Sequence, residues 1–245
     1  MRTIGLLGGM SWESTSHYYR LINEGVKRRL GGLHSAKILL QSFDFHDIEV
    51  LQRDGNWTQL GEILAEAALR LEKSGADFLL VCANTMHKVV PRIEHTTSIP
   101  TLHITDATAC AVKEREWSRV GLLGTRFVME QDFYPARLTD RHGLQVVVPG
   151  PEEREIIDRV IYTELCRGIV SDESREHLLR IIHRLYDQGA EAVIEGCTEI
   201  SMLVRQKDTY VPLLDTTQIH AEAAVDWALD TQWDGVGEVV EIRKR

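Results

Sequence analysis

The tetrapeptide GLLG occurs twice in the chain, at residues 5–8 and again at residues 121–124. Each copy follows a short β-prone run and precedes a segment with helical spacing of its apolar residues. Two further segments repeat in the same order: GADFLL at 75–80 returns as GAEAVI at 189–194, and IPTL at 99–102 returns as VPLL at 211–214. The offsets of 116, 114 and 112 residues drift by only two at each step. We therefore interpret the chain as an internal duplication.

Helical segments separate the repeated strands. The spacing of apolar residues predicts helices over residues 13–30, 56–74, 152–168 and 173–188. A strand is predicted at 37–42, and residues 43–47 are interpreted as a polar loop after it. Short apolar strands alternating with helices are typical of parallel sheets with helices on both faces. The predicted fold is therefore α/β, with two doubly wound parallel-sheet domains.

Ligands of such sheets lie beyond the carboxyl ends of the strands, where the loops converge. The loops of interest start at Gly8, Ala83, Gly124 and Cys197. The first of them opens a helix, and free backbone N–H groups there favour an anion such as a carboxylate. A tight turn without a ligand is the alternative. No Gly-x-Gly-x-x-Gly or Gly-Lys-Ser/Thr motif is present, so no NAD or ATP site is predicted.

Composition excludes several classes of protein. With 43% hydrophobic and 27% charged residues and no apolar run of ~18, the chain is expected to be globular rather than membrane-spanning. Its net charge of −9 opposes binding to nucleic acid. The four cysteines have no Cys-x-x-Cys spacing, which argues against a zinc site and for reduced thiols. The start of the chain lacks the pattern of a signal peptide, so a cytoplasmic location is expected.

The cysteines do not occupy equivalent positions in the two halves. At an offset of 114 residues, Cys197 aligns with Ala83, and Cys82 aligns with Gly196. Neighbouring side chains in extended backbone face opposite ways, so a symmetrical pair of thiols is not expected. The helix predicted after Cys197 would lower the pKa of its thiol and make it a base or nucleophile. The alternative is that Cys197 is a small buried hydrophobic residue.

Four motifs together resemble the cofactor-independent aspartate/glutamate racemases over residues 1 to about 230. They are GLLGGM at 5–10, NTMH at 84–87, GLLGT at 121–125 and GCTE at 196–199. The nearest branch is that of the bacterial L-aspartate/glutamate-specific racemases, which read Cys-Thr-Asn-Thr-Met-His in the first half. Cys82 has a counterpart in that motif, and Ala83 stands in place of a threonine.

The resemblance implies two pseudo-symmetric α/β domains with the active site in the cleft between them. The first domain would comprise residues 1–104 and a final helix at 216–230, the second residues 105–215, and residues 231–245 would form a C-terminal tail. The family implies no cofactor and no metal, a small amino acid or related carboxylate as substrate, and a homodimer.

The family also implies two thiols, one on each face of the substrate's α-carbon. Cys197 matches one of them, and water, Thr85 or a shifted Cys82 would serve the face where Ala83 stands. Residues at or near the family's substrate-binding positions are Met10, Ser11, Gln52, Ala83, Asn84, Thr85, Thr125, Thr198 and Glu199. The basic residue that binds the substrate's side-chain carboxylate in aspartate racemases falls at Cys166 here. Arg53, Lys88 and Arg126 are nearby cations.

The sequence therefore predicts an isomerase that acts on aspartate- or glutamate-like substrates by α-proton abstraction, slowly or with one-sided stereochemistry because of Ala83. A single-cysteine lyase that decarboxylates substituted malonates is one alternative. A catalytically impaired protein that binds small carboxylates is another. His87, His103, His220 and Asp215 could be written as a catalytic triad, but a structural role for them is favoured.

Overall fold

The computed structural model describes residues 1–230, and the predicted tail at 231–245 lies outside the described residues. The chain divides into two compact units. Unit 1 comprises Met1–Ala107 and the described residues from His220 onwards, and unit 2 is Thr108–Ile219. The boundaries follow residues 107 and 219, where the resemblance implied 104 and 215.

Unit 1 contains a three-stranded parallel sheet. Its strands are β1 (Thr3–Gly8), β2 (Lys37–Ser42) and β3 (Phe78–Val81), in the order β2-β1-β3. Its helices are α1 (Trp12–Leu30), α2 (Phe45–Arg53), α3 (Trp57–Lys73) and α4 (Val90–Thr96), with a 3-10 helix at Thr85–Val89. The boundaries between the units fall within α5 (Ile104–Lys113) and α10 (Thr216–Leu229).

Unit 2 contains a four-stranded parallel sheet in the order β5-β4-β6-β7. The strands are β4 (Arg119–Gly124), β5 (Gln145–Val147), β6 (Ala192–Gly196) and β7 (Leu213–Asp215). The helices are α6 (Arg126–Glu130), α7 (Pro151–Thr163), α8 (Asp172–Asp187) and α9 (Ile200–Leu203), with a π-helix at Arg137–Arg141 and 3-10 helices at Leu165–Arg167 and Gln206–Asp208. The predicted α/β class with two parallel-sheet domains is confirmed.

Polar side chains mark where the predicted helices begin. Ser11 accepts a hydrogen bond from the backbone N–H of Ser14 and caps α1, and Asn56 and Ser171 cap α3 and α8 in the same way. These three helix predictions are confirmed to within a residue or two. The helix predicted over 152–168 is shorter, because α7 ends at Thr163 and a 3-10 helix follows it.

The interpretation of residues 43–47 as a loop is wrong. Asp44 accepts a hydrogen bond from the N–H of His46 and caps α2, which runs from Phe45 to Arg53. The loop before α2 lies against Gly9, whose φ of 85° belongs to the left-handed region. A Cβ at Gly9 would come within 2.3 Å of the Phe43 carbonyl oxygen, so the close approach of these two loops requires glycine.

Each unit has its own hydrophobic core. In unit 1 the core includes Leu7 and Leu79 of the sheet and Leu60 and Leu64 of α3. In unit 2 it is formed mainly by the sheet with α7 and α8, and it extends to Cys197. Within residues 1–230, no helix is long and apolar enough to cross a lipid bilayer. The strands β1, β3, β4 and β6 end at the four loops that the sequence predicts to be functional.

Candidate active site

Cys197 lies directly after β6 and is 7% exposed. Its Sγ–H donates a hydrogen bond of 3.1 Å to Oε2 of Glu199. The hydroxyl of Thr198 donates to the same oxygen at 2.7 Å. Because one carboxylate oxygen accepts from both side chains, it fixes the direction of the thiol hydrogen and holds the three residues as one cluster.

The pKa of Cys197 is raised well above its ordinary value. Burial is the largest cause, the negative charge of Glu199 adds to it, and Cys166 contributes further. The expectation that a following helix lowers this pKa is wrong. The helix is only the four-residue α9, and it begins at Ile200, three residues after the thiol. The resting side chain is therefore a neutral thiol.

Glycine lets β4 and β6 approach closely just before the Cys197 loop. Gly124 and Gly196 are paired in register, and a Cβ at Gly196 would come within 2.7 Å of the Leu123 carbonyl oxygen. Thr125 and Cys197 therefore follow neighbouring strand ends in unit 2. The Thr125 hydroxyl oxygen accepts from the N–H of Val128 and caps α6.

The equivalent loop of unit 1 is different. Cys82 is fully buried at the end of β3, and its N–H donates to the Leu7 carbonyl oxygen at 2.9 Å. Burial raises the pKa of the Cys82 thiol. Ala83 takes the place aligned with Cys197, and its carbonyl oxygen accepts from Nδ1 of His87 at 2.9 Å. Cys82 is therefore a protonated thiol buried in the core, and we assign it no chemical role.

The other predicted site residues of unit 1 cluster at the ends of β1 and β3. Met10 and Ser11 follow β1, and Asn84 and Thr85 follow β3. Gln52, on α2, donates from Nε2 to Sδ of Met86 at 2.9 Å and so lies against the 3-10 helix after β3. All the predicted binding residues of both units are buried: Met10, Ser11, Gln52, Ala83, Asn84, Thr85, Thr125, Thr198 and Glu199. A site shared by the two units stays a prediction.

The buried histidines of unit 1 contact the backbone and one another. His87 donates from Nδ1 to the Ala83 carbonyl, and its Nε2 accepts from the N–H of Ile104 at 3.2 Å, which makes the ring neutral. His220 donates from Nε2 to the Leu102 carbonyl and accepts at Nδ1 from the Tyr18 hydroxyl. Burial lowers the pKa of His220 to about 4. These contacts support the structural role over a catalytic triad.

The three cations near the predicted site each contact another side chain. Arg53 pairs with Glu49 at 3.2 Å on the outside of α2. The Lys88 ammonium lies 3.9 Å from the ring centroid of Trp57. Arg126 pairs with Glu130.

Two features of unit 2 were not anticipated from the sequence. One is the hydrogen bond between Cys197 and Glu199, because spacing alone does not show which side chain the thiol faces. The other is Glu195, a buried acid whose pKa is raised by burial and by the charge of Asp215. An acid within the otherwise apolar strand Ala192–Gly196 was the available signal. Across residues 1–230, no group of three or more His, Cys, Asp or Glu side chains is placed to hold a metal ion.

Comparison with known proteins places this chain in a family. The family model described as Asp/Glu/hydantoin racemase matches residues 7–224. A crystal structure of a candidate Asp/Glu racemase from Yersinia pestis superposes with a TM-score of 0.89 at 53% identity, covering 94% of this chain and 100% of that one. The structure of an aspartate racemase homologue from Pyrococcus horikoshii OT3 superposes with a TM-score of 0.81 at 33% identity, over the same shares.

The chain is also similar to the broad specificity amino-acid racemase RacX of Bacillus subtilis, with 22% identity over 237 residues. That alignment covers 94% of this chain and 99% of RacX. The chain thus belongs to the Asp/Glu/hydantoin racemase family. It is an isomerase of the racemase class.

Proposed function

We propose that the protein is a cofactor-independent racemase of amino acids the size of aspartate and glutamate, with Cys197 as the thiol that moves the α-proton. The observation that carries the proposal is the hydrogen bond from Cys197 Sγ to Glu199 Oε2. It marks Cys197 as a protonated thiol beside a carboxylate, and a group that protonates a carbanion must carry a proton of its own.

A base on the face opposite Cys197 takes the α-proton, and the electron pair of the broken Cα–H bond spreads into the substrate carboxylate. Hydrogen-bond donors stabilise this charge best when they are already in place. Asn84, Thr85 and Thr125 supply amide and hydroxyl donors at the strand ends. Cys197 then gives its proton to one face of the carbon and becomes a thiolate, which regains a proton from solvent. In the reverse direction the thiolate removes the α-proton.

The face of the α-carbon opposite Cys197 has a weaker base. Ala83 stands where the duplication aligns Cys197, and alanine neither gives nor accepts a proton. Water or Thr85 is left for that face, since Cys82 is sealed in the core. Losing a positioned acid or base costs roughly 10²- to 10⁴-fold in rate. We therefore expect slow racemisation, with α-proton exchange faster than inversion. Enantiomers have equal free energies in water, so the end point is a racemic mixture.

In the proposed reaction, the protein's own side chains carry out the chemistry without a cofactor. Pyridoxal phosphate requires a lysine for its Schiff base. Within residues 1–230, no lysine stands in the loops between β1 and α1 or between β6 and α9, and Lys88, close after β3, lies over Trp57. A homodimer stays a prediction of the family resemblance, and a cytoplasmic location stays a prediction from the sequence.

The test is to incubate single enantiomers of aspartate, glutamate and their amides with the protein and to separate the enantiomers by chiral chromatography. We expect slow inversion of at least one substrate and roughly 10²- to 10⁴-fold less in Cys197→Ala. Cys110→Ala is the matched control, since this buried cysteine of α5 has no proposed role. Unchanged inversion in Cys197→Ala would overturn the assignment.

Decarboxylation is the second candidate function. A single protonated thiol suffices to quench the carbanion that loss of CO₂ leaves, and Cys197 is such a thiol, while the position aligned with it in the duplication is Ala83. Release of CO₂ from substituted malonates, dependent on Cys197 and without inversion of any amino acid, would favour this function. Binding of small carboxylates without turnover of either kind would reject both.

A further inference from the structure

Gln52 lies at the predicted substrate site of unit 1 and is 4% exposed. It is the penultimate residue of α2, and its side chain reaches the 3-10 helix that follows β3. There its Nε2 donates to Sδ of Met86 at 2.9 Å. Met86 follows Asn84 and Thr85, so the amide of Gln52 lies beside the residues that match the family's substrate contacts.

The contact with Met86 determines which way the amide faces. A thioether sulfur has lone pairs and no hydrogen to give, so the NH₂ group must be the part that points to it. The carbonyl oxygen, Oε1, is then directed elsewhere. Within residues 1–230 this buried oxygen has no hydrogen-bond partner. A buried acceptor without a donor is unfavourable, and a ligand that supplies the donor removes that cost.

Positive charge is scarce around this acceptor. Within the described residues, the loops that follow β1, β2 and β3 contain neither lysine nor arginine before the next helix begins. Arg53 and Lys88, the nearest cations along the chain, contact Glu49 and Trp57. A substrate carboxylate placed beside Gln52 would therefore face a carbonyl oxygen of like polarity, without an available cation to offset it.

Unit 2 shows the same lack of positive charge near its thiol. Cys166, in the 3-10 helix after α7, lies close enough to Cys197 for its ionisation to raise the pKa of that thiol. Cys166 packs against the core of unit 2 and brings no positive charge. Arg126, which follows Thr125, is paired with Glu130.

We infer that the preferred substrate has a neutral side chain that donates a hydrogen bond, a carboxamide or a hydroxyl, and that Oε1 of Gln52 accepts it. The inference rests on the proposed function, because it takes Gln52 to bind the substrate whose α-proton Cys197 moves. Gln52 is then a specificity-determining residue. It discriminates against aspartate and glutamate by leaving their carboxylates without a donor or a cation.

The test compares substrates that differ only in this group. Rates of α-proton exchange in D₂O are measured by proton NMR for aspartate against asparagine, for glutamate against glutamine, and for alanine as a substrate without a polar side chain. We expect the amide to exchange at least about tenfold faster than the acid in one of the pairs. Faster exchange of both acids than of their amides would overturn the inference.

Two variants connect the preference to Gln52. Gln52→Met removes the acceptor at similar size, and we expect the amide-to-acid ratio to fall to near one. Gln52→Glu keeps an acceptor and adds charge, so it should keep the preference for the amide. Gln188→Met, at an exposed position after α8, is the matched control. An unchanged ratio in Gln52→Met would contradict the assignment.

The outcomes separate this inference from the proposed function. Exchange that depends on Cys197 but favours the acids supports the racemase and refutes the role of Gln52. Absence of exchange for every substrate, alanine included, refutes the proposed function and the inference with it.

Discussion

The loop after β3 and the loop after β6 are counterparts in the duplication, and the cysteine stands one residue earlier in the first. Cys82 aligns with Gly196, and Ala83 aligns with Cys197. In the first loop the thiol is fully buried in the core of unit 1. In the second it contacts Glu199 beside the predicted binding residues. A shift of one residue in extended backbone turns a side chain to the opposite face, and here one thiol is fully buried while the other contacts a carboxylate.

The strand that precedes each thiol differs accordingly. A Cβ at Gly196 would collide with the Leu123 carbonyl oxygen at 2.7 Å, so unit 2 cannot accept a cysteine where unit 1 has Cys82. The duplicated halves share the order of three parallel strands, β2-β1-β3 and β5-β4-β6, while their loops differ. Such divergence is expected, because cores constrain strands more strongly than loops.

The largest expected effect is that of a substitution at Gly196, where β4 and β6 approach closely. Gly196→Ala should lower the free energy of unfolding by about 3 kcal/mol, because the added methyl group overlaps backbone that cannot easily move. Urea unfolding measures this. Gly150→Ala is the control, since the nearest atom to its Cβ would be Glu153 Oε2 at 3.8 Å. Equal stabilities of the two variants would contradict the packing argument.

Restoring a thiol to the first loop should make the two loops alike. Ala83→Cys places a proton donor where the duplication aligns Cys197, and we expect racemisation to rise by roughly 10- to 10²-fold. Chiral chromatography measures the inversion rate, and Ala83→Ser controls for size. If Ala83→Cys leaves inversion unchanged, the alanine is not what limits the reaction.

The carboxylate of Glu199 distinguishes the second loop electrostatically. Its charge raises the pKa of Cys197, so the thiolate is scarce at neutral pH and becomes more abundant as the pH rises. Glu199→Gln removes that charge and should move the alkylation profile of Cys197 by iodoacetamide to lower pH. The α-proton exchange rate should also fall by about tenfold, because the thiol loses its charged hydrogen-bond acceptor. A profile that does not move, or moves to higher pH, would argue against the contact.

The smallest expected effect concerns Cys82. Cys82→Ala removes a fully buried sulfur and should lower the free energy of unfolding by only about 1 kcal/mol. Thermal unfolding measures this, with Cys110→Ala as a second buried cysteine for comparison. A collapse of the fold in Cys82→Ala alone would show that this thiol has a larger structural role than its packing indicates.

Most of the architecture could be predicted from the repeats, because strands and amphipathic helices have strong periodic patterns. The duplication predicted two parallel-sheet domains, and the apolar spacing predicted the first residues of α1 and α3 to within one residue. The helix that carries Gln52 was missed, because Phe43 to Asp47 reads as polar and the cap at Asp44 was not identified. Local pattern is a weak guide where a short helix follows an edge strand.

The chemistry of the thiols was only partly predictable. The register argument predicted from the sequence alone that Cys82 and Cys197 do not occupy equivalent positions. The pKa of Cys197 was predicted in the wrong direction, because the argument used a helix N-terminus and could not foresee burial or the position of Glu199. Burial and side-chain contacts come from tertiary packing, which spacing in the sequence does not encode locally.

The central claim is that the thiol of the second loop moves the α-proton and the thiol of the first does not. Loss of the α-proton NMR signal of a single enantiomer in D₂O tests it most directly, with Cys82→Ala and Cys197→Ala compared at equal concentration. We predict exchange within about twofold of the unmodified protein in Cys82→Ala and a loss of roughly 10²-fold or more in Cys197→Ala. Exchange that persists in Cys197→Ala, or that disappears in a folded Cys82→Ala protein, would contradict the account.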